Sequence, residues 1–234
     1  MTSELRARIL SALLLGAGVL ALTCWRMESF AALCLVGAVI LAREWWGLTK
    51  NRSRWWILLG LVYIGGAMAS LLALYPQRGS ALIFQLFVLV WGADIAAYLV
   101  GRKIGKHKIA PSISPGKSWE GLAAAMVISA ALYVIAYKYL LDDCDFYMSW
   151  PFAILIGASF AIVGLLGDLF ESALKRRAGV KDSGAFIPGH GGLFDRVDAL
   201  LACSIYQAFL NLWLFPTLLD YGMDGGYSPL QYAC

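Results

Sequence analysis

Stretches of about 20 apolar residues, the length a helix needs to cross the hydrocarbon of a bilayer, recur along almost the whole chain. Seven can be marked: Ile9 to Trp25, Ser29 to Leu48, Trp55 to Tyr75, Ala81 to Val100, Trp119 to Leu141, Trp150 to Leu169 and Val197 to Leu219. The composition agrees: 60% of residues are hydrophobic, 15% are charged and the mean hydropathy is +0.70, far from the mix of an ordinary soluble domain. The spacing therefore predicts an all-α fold, a polytopic helical membrane protein with residues 1–234 in a single integral membrane domain. The second span is the least regular. Its uninterrupted apolar part runs from Phe30 to Ala42, and Arg43 and Glu44 then predict a tilted, snorkelling or re-entrant segment.

Trp45, Trp46, Trp55, Trp56, Tyr75, Trp119 and Trp150 stand at span ends, where such rings settle at the headgroup level, so the aromatic content reads as membrane anchoring. Arg6 and Arg8 ahead of an apolar run look like the start of a signal peptide. Ala21, Leu22 and Thr23 offer no small-x-small cleavage site, however, and Ile9 to Trp25 reads as a retained helix. Of the 19 basic residues, two lie in the first polar stretch, four in Arg43 to Arg54, five in Gly101 to Ser118 and five in Phe170 to Arg196. Sixteen thus share one side, and Arg26, Arg78 and Lys138 lie on or near the other. The bias of Lys and Arg toward the cytoplasm puts the N-terminus and these segments inside. Asp142, Asp143, Asp145 and the tail from Asp220 are then outside. The five cysteines are scattered and the histidines are His107 and His190 alone, so neither a disulfide scaffold nor a zinc site is expected. Coiled-coil heptads, low-complexity tracts and internal repeats are not evident.

Two inside segments are richer in polar and turn residues than a connection needs, and are the predicted catalytic segments, 94–121 and 167–198. The first carries Asp94, Arg102, Ser114 and Lys117, with Pro111, Pro115 and Gly116 breaking the backbone. Its cations could simply touch anionic headgroups, each contributing about 1 kcal/mol. Asp94 weighs against that reading, because a carboxylate near a membrane helix end is costly unless it faces a cavity, a metal or a partner. In the second segment Asp168, Glu171, Ser172 and Lys175 recur at i, i+3, i+4 and i+7, so a sixth helix extended past the membrane surface would project them together. A Pro-Gly-His-Gly-Gly run follows, including His190, Gly191 and Gly192, in which glycines let phosphate approach backbone N–H groups. Lys181 and Asp182 stand before the run; Asp195, Arg196 and Asp198 stand after it, the two acids sharing a helix face. Carboxylates beside Lys and Arg at this density point to a divalent cation holding phosphates, with a salt-bridge network tying helix ends as the alternative.

The run from Ser172 to Asp198 reads S-x-x-K-R-x-x-x-x-K-D followed by P-G-H-G-G-x-x-D-R-x-D, and Asp94 to Gly121 adds D-x-x-A-Y-x-x-G-R-x-x-G-K and S-P-G-K-S-x-E-G. In these residues the chain resembles the phosphatidate cytidylyltransferase, or CDP-diacylglycerol synthase, family. The resemblance implies CTP and membrane phosphatidate as partners, CDP-diacylglycerol and pyrophosphate as products, and a Mg²⁺ requirement. It further implies Asp168 and Asp195 as metal ligands, with Ser172, Lys175, Arg176, Lys181 and Arg196 toward phosphate or nucleotide. A K⁺ ion nearby and a homodimer are compatible with it, no nucleic acid is expected, and the expected location is a bacterial inner membrane.

The residue inventory supports such chemistry by itself. A phosphate monoester has a second pKa near ~6, so its oxygen is already largely anionic at neutral pH and needs no obligatory base. The protein must supply alignment and charge neutralisation. Two competitors are a CTP-dependent polyprenol or dolichol kinase, which would release CDP, and an ion or proton transporter using Asp94 and Asp168 as membrane carboxylates.

Overall fold

The computed structural model describes residues 16–50, 52–141, 149–186 and 191–213. Helix α1 is seen from Gly16 to Trp25, followed by α2 (Met27–Thr49), α3 (Arg54–Arg78) and α4 (Ser80–Ile104). A short ribbon of β1 (Lys108–Ala110) and β2 (Ser114–Ser118) leads to α5 (Trp119–Ala136), which ends in a π-helical turn at Tyr137–Leu141. Then come α6 (Trp150–Ala178) and α7 (Phe194–Trp213). Among the described residues five helices, α2 to α6, are long and apolar enough to cross a bilayer. The chain is thus an integral membrane protein. The seventh predicted span is α7, which opens with Asp195, Arg196 and Asp198 and is less apolar.

Three local readings change. The span with Arg43 and Glu44 is one continuous helix of 23 residues, which removes the re-entrant alternative: Arg43 stays exposed while Glu44 turns inward to protein donors. Trp45 does not anchor at the headgroups: it is 4% exposed and packs 6.0 Å from the rings of both Phe170 and Phe194, while its indole N–H donates to the Trp56 carbonyl. Trp46, Trp55, Trp119 and Trp150 are exposed, as the belt reading expects. The third change is the ribbon. Its strands pair antiparallel, Lys108 with Ser118 and Ala110 with Ser114, through a turn at Pro111 that the Ile113 N–H closes onto the Ala110 carbonyl.

One end of the bundle gathers the C-termini of α2, α4 and α6, the ribbon and the N-termini of α5 and α7. Ser118 caps α5 by accepting from the Gly121 N–H at 3.2 Å. Glu120 accepts the His107 backbone N–H and meets His107 Nδ1 at 2.6 Å, tying the ribbon's base to α5. The ribbon's tip is held by Arg176 Nε donating to the Ile113 carbonyl. Helix α6 stops at Gly179, whose φ of 73° is a left-handed conformation that glycine adopts without strain; the Val180 N–H then bonds back to the Lys175 carbonyl. That stop leaves the last turn of α6 facing α7.

Candidate active site

The 29-residue α6 runs well past Leu169, so Asp168, Glu171, Ser172 and Lys175 do share one face. Lys175 Nζ lies 2.6 Å from Glu171 Oε2 and 2.6 Å from Asp195 Oδ1, bridging α6 to α7. The other oxygen of Asp195 accepts the Ser183 N–H (2.9 Å), the Ser183 hydroxyl (3.0 Å) and the Gly192 N–H (2.8 Å). Burial opposes ionisation of Asp195, but the Lys175 ammonium and the two backbone N–H groups outweigh it and hold the carboxyl at about 2. Gly191 makes the turn possible with a φ of 87°, and a Cβ there would lie 3.0 Å from Asp195 Oδ2.

Asp168 takes an ion pair from Lys117 on β2 and a long hydrogen bond, 3.4 Å, from the Ser172 hydroxyl. Burial alone would favour neutral Lys117; Asp168, backed by Asp94 and Asp198, more than offsets this and raises the ammonium above its ordinary value. Asp94 on α4 opens into the same cavity as Arg102, whose guanidinium donates to the Tyr98 hydroxyl at 2.8 Å. That cavity, of about 620 Å³, has Arg102, Lys108, Lys117, Asp168, Asp195 and Asp198 at its polar end. Leu89, Val90, Leu122, Ala125 and Phe160 line it deeper along the helices.

Asp168, Glu171 and Asp198 bring one oxygen each within 4.8 Å of one another. Glu171 is 1% exposed; its Oε2 is met by Lys175 Nζ at 2.6 Å, while its Oε1 has no hydrogen-bond partner among the described residues. A buried carboxylate oxygen without a donor is what a cation ligand looks like before the cation binds, so the trio fits a hard divalent ion. Asp195 is outside the trio, its oxygens being engaged by Lys175, Ser183 and Gly192.

The other sequence-predicted residues are more dispersed. Ser114 begins β2 half-buried; Arg176 is exposed and spent on the ribbon tip; Lys181, Asp182 and Arg196 are exposed around the loop between α6 and α7. His190 lies outside the described residues. Two partners were not foreseen. Ser183 is buried against Asp195, and Glu44 is buried against the loop. The cost argument that singles out Asp94 applies equally to Glu44, an acid beside Arg43 near the end of a membrane helix.

A helical membrane bundle with paired ammoniums, converging carboxylates and a polar-to-apolar cavity defines a membrane protein equipped to hold phosphates beside lipid. The model of the Cytidylyltransferase family matches residues 50–213, and the chain belongs to that family. It is 35% identical over 208 residues to a phosphatidate cytidylyltransferase of Haemophilus influenzae, an alignment covering 80% of this chain and 71% of the relative. A Rickettsia bellii protein of the same name is 32% identical, with 89% of this chain and 91% of the relative covered. One from Mycobacterium bovis is 40% identical over 142 residues, but the aligned part is only 44% of its length.

Proposed function

We propose that this protein transfers a cytidylyl group from CTP to phosphatidate, giving CDP-diacylglycerol and pyrophosphate. The observation that carries the reading is one cavity that combines carboxylates and ammoniums at one end with apolar helix faces at the other. The likeness to proteins named phosphatidate cytidylyltransferase supports it. Segments 94–121 and 167–198 supply the chemistry, on the cytoplasmic side of a bacterial inner membrane, as the distribution of basic residues argues.

The lipid phosphate oxygen is anionic and attacks the α-phosphorus of CTP; a new P–O bond forms as the bond to the β-phosphate breaks, and pyrophosphate leaves. Lys117 lines the cavity and Lys175 lies behind it on the lining Asp195; in this reading they offset negative charge, and both are kept charged by the acids they touch. In this assignment Asp195 acts chiefly by orienting Lys175, while Asp168, with Glu171 and Asp198, would hold Mg²⁺. A divalent ion there supplies charge neutralisation for the triphosphate. K⁺ is proposed as a companion cation, its requirement measurable by substitution.

The test gives purified protein phosphatidate, Mg²⁺ and CTP labelled at either the α- or the γ-phosphate. α-Label should enter the lipid and γ-label should leave as pyrophosphate, with EDTA abolishing both. With a polyprenol added, γ-label in that lipid and release of CDP would make the protein a kinase, and, in proteoliposomes, ion flux without nucleotide turnover would make it a transporter.

A further inference from the structure

We propose that Glu44 is a positioning residue for this reaction, a carboxylate on α2 that sets the place of α7 and so of Asp195 and Asp198. The proposal rests on the reading of the site given above. Glu44 is 7% exposed and precedes the stretch matched by the family model. One of its oxygens accepts the Leu193 N–H at 2.8 Å; the other accepts the Phe194 N–H at 2.8 Å and the Ser183 hydroxyl at 3.0 Å.

Those donors are the entry to α7. The Gly192 N–H goes to Asp195 and the next two go to Glu44, so three consecutive backbone donors at a helix N-terminus end on carboxylates. The Ser183 hydroxyl lies 3.0 Å from both Glu44 and Asp195 and can donate to either one. Two glycines make room. A Cβ on Gly184 would lie 2.8 Å from one oxygen of Glu44, and a Cβ on Gly192 would lie 2.7 Å from the other. An acid in a membrane helix is expensive, and loop donors near the surface could be satisfied by water. What water cannot supply is a fixed position. Helix α2 contributes no lining to the cavity, and through Glu44 it holds the helix that contributes two of the site's acids.

The test compares Glu44→Gln, Glu44→Asp and the exposed Glu28→Gln in full-length protein in detergent. In Glu44→Gln an amide N–H₂ must face one of the donors, so exchange of the amides at residues 191–196 should quicken. Mn²⁺ affinity read by electron paramagnetic resonance should fall by up to about 10-fold, the lower end of what loss of an outer-shell contact costs, because Glu44 acts on Asp198 only through the position of α7. The kcat should fall by up to about 100-fold, the size expected of a misplaced group, with KM for phosphatidate unchanged. Glu44→Asp should recover part of each loss, and Glu28→Gln should match wild type. Wild-type exchange and turnover in Glu44→Gln would overturn the role of Glu44, as would a lost activity that only tracks a lost folded fraction. If the wild type itself binds no Mn²⁺ and makes no CDP-lipid, the reading of the site fails, and the role of Glu44 with it.

Discussion

Lys175 is the residue on which most of the site's charge converges, because two acids from different helices meet its single ammonium. Lys175→Met would leave Glu171 and Asp195 facing each other at 1% and 9% side-chain exposure, and breaking a buried pair in this way costs about 3–5 kcal/mol. Thermal unfolding in matched detergent should show that loss, and cytidylyl transfer should drop to background. Asp195 gives a pH signature. Its folded carboxyl is depressed to about 2 from 3.8, so its stabilisation is fully present above pH about 4 and is lost as pH falls through about 2. The amount is on the order of 2 kcal/mol. Acid unfolding curves of wild type and Asp195→Asn should therefore converge between these pH values and run apart above them.

At the level of elements, α6 packs on both neighbours through glycine. A Cβ on Gly157 would meet Ala130 Cα at 2.6 Å and Tyr133 Cβ at 2.7 Å on α5, whereas one on Gly167 would meet the Asp198 carbonyl at 2.7 Å and Ala202 Cβ at 2.8 Å on α7. Alanine at either position should cost about 1–3 kcal/mol by overpacking. The two should differ in activity. Gly167→Ala pushes Asp198 away from Asp168, so turnover per folded molecule should fall, while Gly157→Ala should keep it; melting curves paired with initial rates separate the cases. The helices themselves were legible from apolar length. The ribbon was not, since Lys-Ile-Ala and Ser-Pro-Gly-Lys-Ser show no alternation and two prolines read as breaks.

For the whole molecule, the gathering of the site at one end of the bundle and the clustering of 16 of 19 basic residues argue for the same orientation. In a cysteine-free background, Lys106→Cys should react with an impermeant maleimide only in inverted vesicles. Asp220→Cys should react only in intact cells or spheroplasts. Labelling of Asp220→Cys from the cytoplasm would mean that the chain crosses the membrane an even number of times.

The sequence by itself determined the membrane class and the approximate spans, and it singled out the two segments to which the proposed function assigns phosphate chemistry. These depend on local quantities: apolar length, charge bias, and the i, i+3, i+4, i+7 spacing that put Asp168, Glu171, Ser172 and Lys175 on one face. Tertiary structure decided the partners. That Asp198 joins Asp168 and Glu171, that Asp195 meets Lys175 and Ser183, and that Trp45 turns inward all follow from how α2, α6 and α7 pack. Glu44 shows the reason most clearly. It reaches the Leu193 and Phe194 N–H groups across some 150 positions, and no local pattern encodes a contact whose existence depends on helices meeting at that depth and angle.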